Sequence, residues 1–569
     1  MKSFTSILNC IDFYKADHRS QYPKGTTKVF SNFTPRASRL QGVERVVFFG
    51  LQYYIKEYLQ RRWQISFFDM PLEEVLEQYQ RRMKNALINI TTDHIEALHA
   101  LGYLPIEIRA LPEGASVPLR VPMFTVTNTH PDFYWLTNYL ETQISACLWQ
   151  ACTSATVAKE YRKLFLDAME RSGGPQEFVN FMGHDFSYRG MSSGESAEVS
   201  GAAHLLSFQG TDTVPAIDFL EEYYHANSDA ELIGCSVPAT EHSVQCMGGQ
   251  ETEFETYKRL ITEVYPHGIV SIVSDTWDYW NVWTHIIPEL KNEIIAREKD
   301  SPYPINKVVI RPDSGDPVRV ICGEDYDTHA DLETAQKIIV AEMFQYAMND
   351  FTSKPGFYDY KISVKTLDDQ KFYSIVVTFE LCRKEDGTPF VSEWSMVQCD
   401  EYEPTAEQKG SFQLAWEIFG GRINEKGFKE LHPAIGLIYG DSITLERARA
   451  ITDKLIRKGF VPSMVFGIGS FTYQYNTRDT FGFAIKSTYG EIDGNPVEIF
   501  KDPVTDNGTK KSAKGLTSVL IDDNMQYYLK DQCTMEEYNS LENQLKTVYK
   551  DGNHLIAEDL ATIRSRVQK

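Results

Sequence analysis

Residues 307 to 316, Lys-Val-Val-Ile-Arg-Pro-Asp-Ser-Gly-Asp, place an apolar run directly before a polar turn. Three bulky apolar residues in succession are typical of a strand buried on both faces of a parallel sheet, and ligands bind where such strands end. The turn presents Arg311, a planar bidentate donor, and Asp313, a carboxylate, right after the last buried position. We interpret the stretch as a strand that ends in a site; taken alone, it fits a surface turn with a local Arg–Asp pair equally well.

The same order of apolar strand, polar turn and helix recurs on both sides of this stretch. Further strands are predicted at residues 178–182, near 232, and at 270–273, 435–439 and 464–466. Strands that alternate with helices of this length predict parallel βαβ units. Their number predicts an α/β fold, an irregular TIM-like (β/α) barrel over residues 151–487.

The remaining sequence predicts two further parts of the fold. Residues 1–150 contain an amphipathic helix at 47–63 and proline-broken antiparallel strands at 104–128, and residues 488–569 add a strand and terminal helices. These two ends predict an α+β domain packed against the barrel. Residues 321–412 interrupt the barrel with a helix and a β-hairpin around Glu-Asp-Gly-Thr, which predicts an inserted α+β subdomain at the surface.

Charge and cysteine content exclude several classes of function. Lys and Arg number 57 against 79 Asp and Glu, a formal charge of −22, which argues against a nucleic-acid or anionic-membrane surface. Nine cysteines without a Cys-x-x-Cys pair argue against a disulfide framework and a zinc ribbon, and we expect no metal held by the protein alone. Without an apolar span or a signal-peptide core, the chain is expected to be cytoplasmic.

The residues at the predicted strand ends combine cations, carboxylates and one aromatic ring, which suits a ligand with a phosphate, a sugar and a flat ring. In order and spacing, the motifs HDFSYRGMSS, GTDTV, SVPATEHS, VSDTWD, IRPDSGDP and GDSI resemble those of the nicotinamide phosphoribosyltransferases. The resemblance also covers the amino terminus and the FKDPVTD loop, and leaves out only the insertion. It implies a homodimeric type II phosphoribosyltransferase of NAD salvage, with active sites at the subunit interface, that converts nicotinamide and phosphoribosyl pyrophosphate to nicotinamide mononucleotide and pyrophosphate.

The resemblance assigns several residues to the base. Phe186 and a Tyr14 from the partner subunit would stack on the two faces of the pyridine ring. Asp212 would accept a hydrogen bond from the carboxamide and repel nicotinate, and Arg189 would contact the amide oxygen or the nucleotide phosphate. Two serines at strand ends are further candidates for substrate binding: Ser236 and Ser274.

Other residues are assigned to the transfer and to the phosphates. Asp313, with Arg311, would stabilise an oxocarbenium-like state at the anomeric carbon, and substrate-bound Mg²⁺ would neutralise the departing pyrophosphate. Gly440 and Asp441 match a turn that contacts ribose or phosphate. Four cations match phosphate-binding positions of the family: Arg36, Arg478, Lys486 and Lys501.

The resemblance gives His242 an accessory role, since it matches the histidine that the family phosphorylates from ATP as an optional co-substrate. Glu241 or Asp278 could orient its ring, and Asp278 is therefore counted among the catalytic residues. The alternative is a hydrogen-bonded core histidine. His184 and His18 are interpreted as structural.

One departure and three alternatives stand beside this interpretation. The turn Gly467–Phe471 carries bulkier residues where the family has glycine, so close approach of its backbone to a phosphate is in doubt. The nearest alternative is a nicotinate phosphoribosyltransferase, against which Asp212 argues. The others are a barrel enzyme acting on another phosphosugar and a non-catalytic descendant, and intact Arg311, Asp313 and His242 argue against the latter.

Overall fold

The computed structural model describes residues 6–86, 91–349, 354–369, 371–440, 442–501 and 512–569. Within these ranges no helix is both long and apolar enough to cross a lipid bilayer. Buried apolar side chains form two large clusters. The first draws residues from both ends of the chain, and the second surrounds a parallel sheet.

A six-stranded parallel sheet forms the centre of the second cluster. In spatial order its strands are Gly210–Thr211, Gly183–Asp185, Val465–Ile468, Ile435–Tyr439, Lys307–Arg311 and Ile269–Val273. The segment between the two edge strands bridges them, because Cys235 N donates to Gln209 O at 2.7 Å and Ser271 N donates to Pro238 O at 2.9 Å. The sheet is therefore curled, and the predicted α/β class with a parallel sheet is confirmed.

Two predicted strands differ from the structure. The run at 178–182 is helical, with a helix at Val179–Met182, and the strand is the next three residues, Gly183–Asp185. Apolar residues three apart fit the buried side of a helix as well as a short strand, so the pattern did not distinguish them. Near Leu232 there are only isolated bridges around Pro238, which has no N–H to contribute to a ladder.

Helices between the strands cover the outside of this sheet. The 32-residue helix Glu141–Ser172 packs along it, with the Phe165 and Phe466 rings stacked at 4.7 Å. Apolar strands covered by helices in this way are buried on both faces. The other main helices are Gly194–His204, Pro215–Tyr224, His242–Met247, Glu253–Arg259, Lys291–Ala296, Pro317–Cys322, Ala406–Phe419, Leu445–Arg457 and Ser470–Tyr473.

A seven-stranded antiparallel sheet contains strands from both ends of the chain. In spatial order they are Asn495–Glu498, Ala484–Ile492, Thr26–Thr34, Phe124–Asn128, Ile106–Ala110, Lys546–Lys550 and Asn553–His554. In this sheet Phe33 lies opposite both Ile485 and Phe124. The amino-terminal part of the chain also contains five helical segments: Leu51–Tyr53, Tyr54–Arg62, Gln64–Phe68, Leu72–Met83 and Asp93–Leu101. The predicted helix at 47–63 begins at Leu51, since Arg45–Val47 is a short strand.

The inserted segment has a core of its own. Its four strands are, in spatial order, Asp327–His329, Gly356–Thr366, Phe372–Arg383 and Pro389–Tyr402, with the helix Leu332–Asn349 on one face. Ile339 of this helix is buried with Val364, Ile375 and Val377. The predicted hairpin is confirmed, because Phe372–Arg383 and Pro389–Tyr402 pair antiparallel.

The two connections of this four-stranded segment to the part of the chain that holds the parallel sheet meet at one place, which we call the neck (residues 322–324 and 408–410). Glu324 N donates to Gln408 O at 2.8 Å, and Lys458 Nζ donates to Cys322 O at 2.6 Å. Gly323 and Gly410 both have positive φ, at +73° and +76°. The backbones of the outgoing and returning chain therefore pack directly against each other.

Replacing Gly323 with alanine is expected to destabilise the protein by about 3 kcal/mol or more. The new Cβ would lie 2.3 Å from Gln408 O and 2.4 Å from Lys409 O, where backbone has to move. Gly387→Ala is the matched control, because its φ is +84° and a Cβ there meets nothing within 4 Å. Chemical denaturation of both variants separates two effects on the free energy of unfolding: the steric collision of the new Cβ, and the strain of a side chain on a residue with positive φ. An equal loss in the two would show that the close approach at the neck is unimportant.

Candidate active site

Polar residues gather at the carboxyl ends of the parallel strands, as the sequence predicts. Asp185 O accepts from Asp212 N at 2.9 Å, and Arg311 O accepts from Ser274 N at 2.9 Å. Gly440 N lies 3.4 Å from Pro312 O. The strand ends are thus tied to one another, and their side chains share one edge of the sheet.

Asp212 is held by two donors. His184 Nε2 lies 2.9 Å from Asp212 Oδ1, and Ser236 Oγ donates to the same oxygen at 2.6 Å. Burial raises the pKa of Asp212, but these two hydrogen bonds and the positive charge of Arg311 outweigh it, so its pKa is lowered. Asp212 is therefore a fixed carboxylate at neutral pH.

Phe186 is half-buried and packs beside His184, the residue that holds this carboxylate. Its ring centroid lies 4.7 Å from that of His184, so His184, interpreted above as structural, contacts two residues assigned to the base. Gly467 packs against the ring, since a Cβ there would lie 2.7 Å from Phe186 Cδ2. Arg189 is exposed on the short turn Tyr188–Gly190.

Arg311 is largely buried, and its Nη2 donates to Thr240 O at 2.6 Å. Its Nε lies 3.7 Å from Asp313 Oδ1, which pairs the two residues singled out in the sequence. The Asp313 carboxylate lies over Gly440, because a Cβ on Gly440 would be 2.0 Å from Asp313 Oδ1. The turn at Gly440 therefore fixes where this carboxylate can sit.

Asp275 connects His242 to the turn that follows Arg311. It accepts from Asp313 N at 3.1 Å through Oδ2, and its Oδ1 lies 3.2 Å from His242 Nε2. The prediction that Glu241 or Asp278 orients the His242 ring is therefore wrong. Asp278 caps the helix that follows it, because its Oδ1 accepts the N–H groups of Trp280 and Asn281.

A separate group of cations lies around Lys486, in the strand Ala484–Ile492 of the antiparallel sheet. Burial lowers the pKa of Lys486; the Glu141 carboxylate opposes this shift, and the neighbouring charges of Arg36, Lys501 and Lys15 add to it. Arg36 Nε donates to Gly482 O at 2.8 Å. We call Arg36, Lys486 and Lys501 the cationic cluster. Such a concentration of positive charge, in a chain of net −22, is the local cluster that an anionic substrate requires.

The other predicted residues have simpler surroundings. Tyr14 is 58% exposed, and its ring lies edge-on to His18 at 4.9 Å. Arg478 is exposed and lies 3.4 Å from Asp479. Ser274 is buried and donates its hydroxyl to Ile272 O. Asp441 lies outside the described residues. His184 and Asp275 each lie two residues after a predicted strand, but sequence reasoning gave neither of them a role in the site.

Comparisons with known proteins give a consistent result. The profile of the nicotinate phosphoribosyltransferase (NAPRTase) family matches residues 181–351 and 362–553, and that of the nicotinamide phosphoribosyltransferase N-terminal domain matches residues 6–108. The family match thus includes most of residues 321–412, which the motif resemblance left out.

Two full-length relatives and one solved structure extend this. A nicotinamide phosphoribosyltransferase of Acinetobacter baylyi is 44% identical over 568 residues, covering 98% of this chain and 96% of the relative. One of Xanthomonas campestris pv. campestris is 30% identical over 573 residues, covering 99% and 98%. The crystal structure of nicotinate-nucleotide pyrophosphorylase from Pyrococcus furiosus matches with a TM-score of 0.52 at 14% identity, covering 100% of this chain and 97% of that one, which supports the fold alone.

Proposed function

Since this chain belongs to the nicotinate phosphoribosyltransferase family, and within it to the nicotinamide phosphoribosyltransferases, we infer how its site makes nicotinamide mononucleotide and pyrophosphate from nicotinamide and phosphoribosyl pyrophosphate. The observation that carries the choice of base is Asp212. It is a carboxylate held by His184 and Ser236, and the same His184 ring packs 4.7 Å from the half-buried ring of Phe186. A carboxylate that accepts hydrogen bonds suits a base with a neutral amide, because the amide NH2 group can donate to it.

The proposed base site discriminates by charge. Nicotinamide donates its amide N–H to Asp212 while its ring packs on Phe186. Nicotinate would bring a second carboxylate to the same place, and like charges in contact cost on the order of several kcal/mol. Arg189, exposed nearby, would contact the amide oxygen or the nucleotide phosphate.

The transfer needs charge stabilisation rather than a general base. The ring nitrogen of nicotinamide has no proton to lose, so its lone pair forms the C1–N bond while the C1–O bond breaks and pyrophosphate leaves with the electron pair. Positive charge develops on the ribose in between. The Asp313 carboxylate, held between Arg311 and Gly440, is the proposed group that stabilises this charge.

The phosphates are proposed to meet cations from a second subunit. Phosphoribosyl pyrophosphate would bind as its magnesium complex, with Arg478 and the cationic cluster as protein partners. Lys486 lies in a strand of the antiparallel sheet and interacts with Arg36, Lys501, Lys15 and Glu141, and Arg36 Nε donates to Gly482 O. None of these partners is a residue at the ends of the parallel strands. A homodimer in which Tyr14 and this cluster face the strand ends of the partner accounts for that separation.

ATP coupling is proposed to act through His242. Its side chain is 48% exposed and its Nε2 is held by Asp275, so the ring is both oriented and accessible. In the transfer an imidazole nitrogen would attack the γ-phosphorus and ADP would leave, forming an N–P bond. A dependence of product yield on ATP, measured in the assay below, tests this.

The finer arrangement of the fold is also proposed. The bridges at residues 235–239 support a closed, irregular barrel over residues 151–487. The sheet made by both chain ends supports an α+β domain of residues 1–150 and 488–569, with residues 321–412 inserted. One fact modifies these boundaries: the helices at 194–224 share their buried face with the first core.

Turnover with each base tests the assignment. Wild-type protein with magnesium and phosphoribosyl pyrophosphate is expected to use nicotinamide and not nicotinate. Asp212→Ala is expected to lose about tenfold to hundredfold in kcat/KM for nicotinamide, because a hydrogen bond to a charged group is removed. Equal use of nicotinate would favour a nicotinate phosphoribosyltransferase. Product binding without turnover of either base would favour a non-catalytic nucleotide-binding protein.

A further inference from the structure

His184 contacts both of the side chains assigned to the base, Phe186 and Asp212. Its ring is 4.7 Å from that of Phe186, at an interplanar angle of 44°, and its Nε2 is 2.9 Å from Asp212 Oδ1. The His184 side chain is only 11% exposed, whereas that of Asp212 is 46% exposed. One buried ring therefore contacts both the residue that stacks on the base and the carboxylate that accepts from it.

The sheet is built to hold this ring. His184 lies in register with Gly467 on one neighbouring strand and with Gly210 on the other. A Cβ at Gly210 would lie 2.7 Å from His184 Nδ1, and one at Gly467 would lie 2.7 Å from Phe186 Cδ2. The space of two missing side chains is thus filled by the His184 and Phe186 rings, which fixes their position relative to each other.

The hydrogen-bond chemistry fixes the direction of the contact with Asp212. A carboxylate only accepts, so the proton of this bond is on His184 Nε2. Ser236 Oγ donates to the same atom, Oδ1, at 2.6 Å. With two donors on Oδ1, the acceptor capacity that remains for a bound amide is centred on Oδ2. Two hydrogen bonds to one oxygen restrict the rotation of the carboxylate.

We propose that His184 is the positioning residue that sets the preference of this site for an amide base over an acid base. The inference rests on the proposed function. By donating through Nε2, His184 keeps the Asp212 carboxylate charged and in a fixed plane beside Phe186. A nicotinate carboxylate then meets a charge that cannot turn away or take up a proton cheaply, whereas an amide N–H meets a correctly oriented acceptor.

Two substitutions separate donation from packing. His184→Leu fills much of the ring volume but donates nothing, and His184→Gln can place an amide N–H close to the position of Nε2. Ser236→Ala removes the other donor to the same oxygen without disturbing the ring pair. The quantity to measure is the ratio of kcat/KM for nicotinamide to that for nicotinate, with thermal melting to confirm folding and titration of each base to measure its binding.

His184→Leu is expected to lower the ratio about tenfold or more, chiefly through a higher KM for nicotinamide, and His184→Gln is expected to restore most of it. Ser236→Ala is expected to lower the ratio by less, since His184 still holds the carboxylate. A variant whose kcat/KM falls by the same factor for both bases would show that His184 acts only in folding and would overturn the inference. So would an unchanged ratio in His184→Leu.

The failure of the proposed function gives a different result. If wild-type protein turns over neither base, the proposed function is wrong. The inference about His184 is then tested by equilibrium binding of the two bases. Weaker nicotinamide binding in His184→Leu, with nicotinate binding unchanged or stronger, supports it. Equal affinities of wild type for the two bases overturn it.

Discussion

Replacing Gly440 with alanine is expected to lower kcat by about 100-fold to 1,000-fold while changing thermal stability little. The added Cβ would lie 2.0 Å from Asp313 Oδ1 and 3.2 Å from its Cγ, so the carboxylate has to leave its place. Gly440 does not have a positive φ, and alanine therefore brings no backbone strain. The atom that must move is the end of a side chain, which turns away at small cost in folding.

The matched control is Gly194→Ala. This glycine opens the helix Gly194–His204, and a Cβ there meets nothing within 4 Å. Its activity is expected to stay near that of wild type. Steady-state kinetics and melting curves of the two variants test whether kcat falls without a loss of thermal stability. If Gly440→Ala keeps its kcat, the position of the Asp313 carboxylate is not what stabilises the transition state.

A heterodimer of two inactive chains is expected to regain about half of the wild-type turnover. Asp313→Asn damages the strand-end part of the site, and Lys486→Ala damages the cationic cluster. If each site draws these parts from different subunits, one site of the heterodimer carries both changes and the other carries none. Co-expression with two affinity tags and purification through both gives the species to be assayed.

The control pairs Lys486→Ala with Arg36→Ala, both from the cationic cluster. Each site of that heterodimer keeps one damaged residue, so no recovery is expected. Recovery in the first pair but not in the second supports a shared site. Absence of recovery in both pairs, from a confirmed heterodimer, would place the cluster and the strand ends of one chain in the same site.

The sequence predicted the strands that are buried on both faces best. Ile435–Tyr439 has the predicted bounds, and Lys307–Arg311 extends the predicted strand by one residue, because both runs are short, rich in β-branched or aromatic residues and followed by a turn. The short strand Gly183–Asp185 was missed, since three residues carry no periodicity and its glycine is there to make room for Phe208. A hydrophobic pattern predicts a strand or helix well only where the element is long enough for the pattern to repeat.

Contacts between side chains were harder to predict than their common location. The motifs indicated that Asp275, Asp278 and His242 lie at strand ends, but not which carboxylate touches the imidazole. That choice depends on the direction of a turn, since Asp278 faces back onto its own helix and Asp275 faces across the sheet. The role of His184 was not predicted for a similar reason: its partner, Asp212, follows the neighbouring strand Gly210–Thr211.

The neck has a consequence for how this protein could have acquired its length. The chain leaves the parallel-sheet part of the fold at Glu324 and returns to it at Gln408, and these two residues are joined by a hydrogen bond. For the parallel-sheet part, the whole intervening segment is therefore equivalent to a tight turn. Loop-closure entropy grows only slowly with length once the ends are together. Evolution can therefore enlarge, shorten or exchange the intervening segment while the catalytic framework stays as it is.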